Sequence, residues 1–109
     1  MYRGTTPTNT ITVDLDLRAM TVFVTYSQAG RVVFEKTNAD IEIEENEISV
    51  PLTQADTLAL SAWDRGQTVF VQIRAIDALG NAVASNIMTT TVNAILKDGE
   101  IEYAAPSNI

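Results

Sequence analysis

Two kinds of side chain in this sequence have the types and spacing to do chemistry: clustered carboxylates and a few aromatics. Asp14 and Asp16 stand two apart, so on a strand they share one face. Glu42 and Glu44 do the same, with Glu45 and Glu47 at the adjoining turn. Carboxylates on one face suit Ca²⁺, which takes six to eight oxygens. The spacing fits no calcium loop, however. The expectation is a solvated outer face that keeps the protein soluble and blocks edge pairing. Asp98-Gly99-Glu100 reads the same way. Two acids are all a glycosidase needs, but they must line a cleft, and a small sandwich has little room for one. Asp56-Thr57-Leu58 is not the Asp-Thr/Ser-Gly loop of an aspartic protease. The five glycines do not cluster into a phosphate-binding loop. No His and no Cys are present. That removes imidazole bases, thiolate nucleophiles, disulfides and most transition-metal sites together. The reading is a non-enzymatic protein with no catalytic residues, no cofactor and no bound metal.

The aromatics point to binding instead. Trp63, the one tryptophan, sits in "SAWDRG". An exposed Trp beside Asp64 and Arg65 could stack on a sugar ring. The favoured expectation is a core plug near a crossing between sheets, its N–H finding a carbonyl. Phe23 and Phe70 fall on the outward faces of their strands, where two on neighbouring strands form a patch for another subunit. A register error of one residue would erase that patch. Tyr2 and Arg3 lie in an extended opening stretch, "MYRGTTPTNT", with Tyr2 its expected anchor. The candidate interaction surface is therefore Tyr2, Arg3, Phe23, Trp63 and Phe70.

Charge narrows the partners. The net charge is −7, and the seven Lys and Arg residues are scattered singly. Phosphate backbones and anionic lipid surfaces repel such a chain, so no nucleic acid is expected as partner. No apolar run approaches the length that spans a bilayer, so no membrane insertion is expected. The opening residues lack the apolar stretch of a signal peptide, which predicts synthesis in the cytoplasm.

The elements that must position these residues are strands. Period-2 alternation dominates: Ile11, Val13 and Leu15; Met20 to Tyr26; Val32 to Lys36; Ile41 and Ile43; Ile48 to Leu52; Val69 to Ala75. Ala29-Gly30 and Glu45-Asn46 read as tight turns, and Pro51 as a strand end or edge. Thr53 followed by Asp56 predicts a helix cap, with one or two helical turns over 54–60. Leu79-Gly80-Asn81 turns the chain into a strand running from Ala82 to about Val92. A short alternating piece follows around Ile101 and Tyr103. About seven short strands with one helical turn describe an all-β, immunoglobulin-like antiparallel β-sandwich. Residues 1–8 form an extended arm or edge strand, 9–103 the sandwich, and 104–109 a frayed tail. The expected core is Ile11, Val13, Val22, Val24, Phe34, Ile43, Ile48, Val50, Leu58, Trp63, Val69, Val71, Ile73 and Ile87.

Several stretches carry a family resemblance. They are Arg3-Gly4-Thr5-Thr6-Pro7-Thr8, Leu52-Thr53-Gln54 with Thr57, Ala84-Ser85-Asn86, and Ile95-Leu96-Lys97-Asp98-Gly99. Over residues 1 to about 101 the chain resembles small proteins encoded in tail and baseplate regions of prophages from gut Firmicutes. The resemblance brings no catalytic residues. It implies a structural or accessory module of the virion, assembled in the bacterial cytoplasm. Its partners would be other phage structural proteins or further copies of itself. The alternative is a sandwich module that binds carbohydrate on a host surface.

Overall fold

The computed structural model describes residues 1–63 and 66–104. Among these, the strands are β1 (Thr8–Thr12), β2 (Thr21–Gln28), β3 (Arg31–Thr37), β4 (Glu42–Glu44), β5 (Glu47–Pro51), β6 (Gln67–Ile76), β7 (Ala82–Ala84) and β8 (Met88–Val92). A 3₁₀ turn, Asn38–Asp40, precedes β4, and one short helix, α1 (Gln54–Ala59), follows β5.

The strands make two antiparallel sheets. One has the order β1-β5-β4; the other runs β3-β2-β6, with β7 and β8 both on β6. The chain changes sheet after β1, after β3 and after β5. These orders are the B-E-D and C′-C-F-G orders of an immunoglobulin sandwich. The helix α1 sits at the third crossing, where the sequence places it. Its cap is the one expected: the Asp56 N–H donates to Thr53 Oγ1 at 3.1 Å, and the Thr53 N–H donates to Asp56 Oδ2 at 2.9 Å.

The core forms where the two inward faces meet. Val22, Val24 and Tyr26 come from β2, and Val69, Val71, Ile73 and Ala75 from β6. Ile48, Val50 and Val92 complete it from β5 and β8, with Leu17, Leu52 and Leu60 from the connections. Alternation placed the inward residues of β2, β5 and β6 correctly. Ile11, Val13, Phe34 and Ile43 are half-buried against this cluster, and Leu58 is half-buried too. Trp63 and Ile87 are not core residues; both are mostly exposed.

Three local departures have identifiable causes. First, the alternation through Leu15 does not continue as strand, because β1 ends at Thr12. The Val13 N–H donates to Asn46 O at 2.9 Å and the Leu17 N–H to Glu45 O at 2.8 Å. The chain thereby bends around the β4–β5 turn and buries Leu17. Asp14 consequently lies in a bend and Asp16 in the irregular segment after it, neither on a strand face. Second, the strand read from Ala82 to Val92 is broken. The Ile73 N–H donates to Ser85 Oγ at 3.0 Å, and Gln72 Nε2 donates to Ser85 O at 2.9 Å. A side chain thus replaces a ladder partner, and Ile87 is turned outward. Third, residues 101–104 form no strand. The frayed tail expected at 104–109 lies outside the described residues beyond Ala104.

Candidate interaction surface

The two outer sheet faces differ in chemistry. On β1, β4 and β5 the outward residues are Thr8, Thr10 and Thr12 beside Glu42, Glu44 and Glu47, all exposed. Acidic residues and hydroxyls make this a solvated face, as the carboxylate spacing implies. Among the described residues, no group of three or more carboxylates is placed to hold a metal ion. Asp16 is paired instead, with Arg18 Nη2 2.7 Å from its Oδ2. Those hydrogen bonds hold its carboxyl below the ordinary range.

The outer face of the larger sheet carries aromatics and aliphatics. Phe23 stands opposite Arg74, and Phe70 opposite Ser27. Both Phe side chains therefore share the outward face, four residues or roughly 13 Å apart along β2. Around Phe70 lie Val32, 66% exposed, and Ile87, 61% exposed. Together they line a shallow depression of ≈ 260 Å³. Phe23 lines a second of ≈ 260 Å³ with Ile76, Ala82, Glu35 and Arg74. Val32 is outward because the β2–β3 register shifts after Tyr26. Ile87 is outward because of the break after β7. Neither displacement has a signal in the alternation itself, so the sequence marked only the two Phe residues.

Trp63 is 64% exposed. It does not plug the core; Leu60, three residues earlier, is fully buried and fills that end instead. Trp63 stands over a depression of ≈ 490 Å³ whose wall includes Gln28, Arg31, Val33, Ser61 and Thr68. Buried Gln28 shapes this site. Its Nε2 donates to Ser61 O at 2.9 Å, and its Oε1 accepts from the Ser61 N–H at 2.7 Å. That pair pins the segment entering Trp63 to the end of β2. Asp64 and Arg65, the polar neighbours expected to assist a sugar, lie outside the described residues.

The arm is anchored within the chain. Met1 and Arg3 bond Asn93 on the far edge of β8: the Asn93 N–H donates to Met1 O at 2.7 Å, and the Arg3 N–H donates to Asn93 O at 3.0 Å. Tyr2 thus makes a parallel bridge to Asn93 while its ring stays exposed. The Arg3 side chain faces inward. Its Nε and Nη2 donate to Leu60 O and Leu58 O, each at 2.8 Å, and Nη1 pairs with Asp98. A cation at the carbonyl end of α1 is where a cation is most favourable. Buried Thr57 adds a bond from Oγ1 to Thr5 O at 2.8 Å. Arg3 is therefore a clasp between arm and helix, and Tyr2 is an aromatic that the arm offers to solvent.

No described helix is long and apolar enough to cross a membrane. Compared with known proteins, the chain matches no family model, no curated protein and no solved structure.

Proposed function

We propose that this protein is a non-enzymatic assembly module, acting through protein–protein contact on the outer face of the β3-β2-β6 sheet. One observation carries the reading: Phe23, Val32, Phe70, Ile76 and Ile87 share that outer surface, while the opposite sheet presents Glu and Thr. Exposed apolar side chains set among polar residues on one sheet face are what partner surfaces look like. Placing the module in a phage tail or baseplate rests on the sequence resemblance. The partners are then other virion proteins or further copies of the chain.

The test is light scattering of the chain alone and mixed with structural proteins encoded beside it. A complex that disappears in Val32→Glu and Phe70→Glu, with the melting temperature of the free protein kept, supports the reading. Absence of any complex overturns it.

Carbohydrate binding is the second reading, and exposed Trp63 favours it. A Trp face in a depression that also holds Gln28, Arg31 and Thr68 can stack on a sugar ring. Glycan-array binding abolished by Trp63→Ala, with Phe70→Glu inert, would replace assembly by host-surface recognition.

A further inference from the structure

Among the described residues, the sandwich is open along one side. Edge strand β1 ends one sheet, and β7 and β8 end the other. Residues 7 and 13 bond β5-side partners, with the Leu52 N–H donating to Pro7 O and the Val13 N–H to Asn46 O, each at 2.9 Å. An antiparallel ladder alternates, so Asn9 and Ile11 also face β5, and the backbone groups of Thr8, Thr10 and Thr12 point to the open side. On the facing edge, Ser85 and Asn81 bond the β6 side: the Ser85 N–H donates to Ile73 O at 2.8 Å, and Asn81 O accepts from the Asp77 N–H at 3.0 Å. By the same alternation Ala82 and Ala84 point outward. The arm bonds the far end of β8, at Thr91 and at Asn93 just past it.

Between these edges runs a groove over the core. It comprises two depressions of ≈ 400 and ≈ 390 Å³. Ile11, Val71 and Met88 line the first, and Val13, Ile73 and Val83 the second. An immunoglobulin sandwich of the A-B-E-D type has a further strand beside B. Here, among the described residues, no strand lies alongside β1 at Thr8–Thr12.

The chain carries one segment of complementary chemistry. Glu100, Ile101, Glu102 and Tyr103 alternate as a strand would, yet they form none. Ile101 is 78% exposed and Tyr103 88% exposed. In its own chain the segment lies against the arm and α1: Asp98 pairs with Arg3, and Gln54 holds Ile101 through bonds of 2.7 and 2.9 Å. Its apolar side chains are left in water there.

We propose that residues 100–104 of a second copy add as a strand along β1 and close this groove. This deepens the reading of the chain as an assembly module and rests on it. Ile101 and Tyr103 cover Ile11, Val13 and Met88, while the ladder satisfies the free backbone groups of Thr10 and Thr12. Glu100 and Glu102 fall on the outer face beside Thr8, Thr10 and Thr12. Those neutral hydroxyls stand between them and Glu42, Glu44 and Glu47, so like charges stay apart. A strand edge left open beside an apolar groove is the feature that strand exchange uses.

The experiment uses the full chain, which has no cysteine of its own. Thr10→Cys and Glu102→Cys are introduced together and oxidised. The expected result is a disulfide between two chains, formed at micromolar protein and blocked by Ile101→Asp with Tyr103→Asp. Both replaced side chains are exposed, so the monomer should melt unchanged. A disulfide within one chain, no disulfide, or a link that survives the double Asp variant each overturns the proposal. Val32→Glu and Phe70→Glu separate it from the reading above. If they abolish a complex that the Asp variant leaves intact, the sheet face assembles and the strand exchange fails.

Discussion

Asn9 Nδ2 donates to Tyr26 Oη at 2.7 Å, joining β1 of one sheet to β2 of the other through the core. Tyr26 is fully buried, and its ring stacks on Phe34 with centroids 4.5 Å apart. The hydrogen bond lets a phenol sit among aliphatics without an orphaned hydroxyl. Asn9→Ala should cost about 1–3 kcal/mol by stranding that hydroxyl, and Tyr26→Phe in the same background should recover part of the loss. Urea unfolding of the two variants measures both.

The same phenol gives an alkaline limit. Burial pushes Tyr26 above its ordinary value, outweighing the Asn9 hydrogen bond. The unfolded chain loses this proton first, near pH of about 10. Tyr26 therefore favours folding fully below that pH, and the contribution falls as pH rises toward the folded value. A stability profile above neutrality should decline there, and the decline should shrink in Tyr26→Phe.

Lys36 Nζ lies 2.6 Å from Asp56 Oδ2, tying β3 to α1, and both side chains are largely covered. Burial acts to raise the Asp56 carboxyl, but Lys36 and Thr53 outweigh it and hold it below the ordinary range. The stabilisation is present above the unfolded carboxylate value, about 3.9, and is lost as pH falls through the folded one. Lys36→Met should cost about 1.5–3 kcal/mol, the worth of a charge-assisted hydrogen bond. Asp56→Asn should flatten the acid limb of the stability curve, read by thermal melts from pH 7 downward.

The β2–β3 turn stores strain. Ala29 has φ 50° and Gly30 φ 75°, as a type I′ hairpin turn requires. Ala pays for the left-handed region about 1–2 kcal/mol, which Asn or Gly largely avoids. Ala29→Asn should therefore raise the melting temperature by several degrees, at about 4–8 °C per kcal/mol for a domain near this size. An unchanged or lower melting temperature would refute the strain.

Trp63 reports on its own exposure, since it is the only tryptophan. The folded protein should show the red-shifted emission of a wet indole, readily quenched by iodide. Trp63→Ala should change stability by no more than about 0.5 kcal/mol, as surface substitutions do. A blue-shifted, protected emission would return Trp63 to the core.

Much of this architecture was legible in the chain. Alternation in Val22–Tyr26 and Val69–Ala75 set which side chains point inward, because a strand's period is two and only one face is buried. Ala29-Gly30 and Glu45-Asn46 marked hairpin turns, and Thr53 with Asp56 marked the helix start, since capping and turn chemistry are local. The pairing of Phe23 and Phe70 on one face followed from the same periodicity. What the tertiary structure alone decided depends on contacts distant in sequence. Leu17 is buried because the β4–β5 turn bends the chain over it. Ile87 is expelled because Ser85 takes a ladder position on β6. Trp63 is outside because Leu60 fills the space and Gln28 fixes Ser61. Arg3 became a clasp because α1 presents free carbonyls beside the arm. The open groove depends on which strands end the two sheets, and strand order is a property of the packed chain that no local pattern encodes.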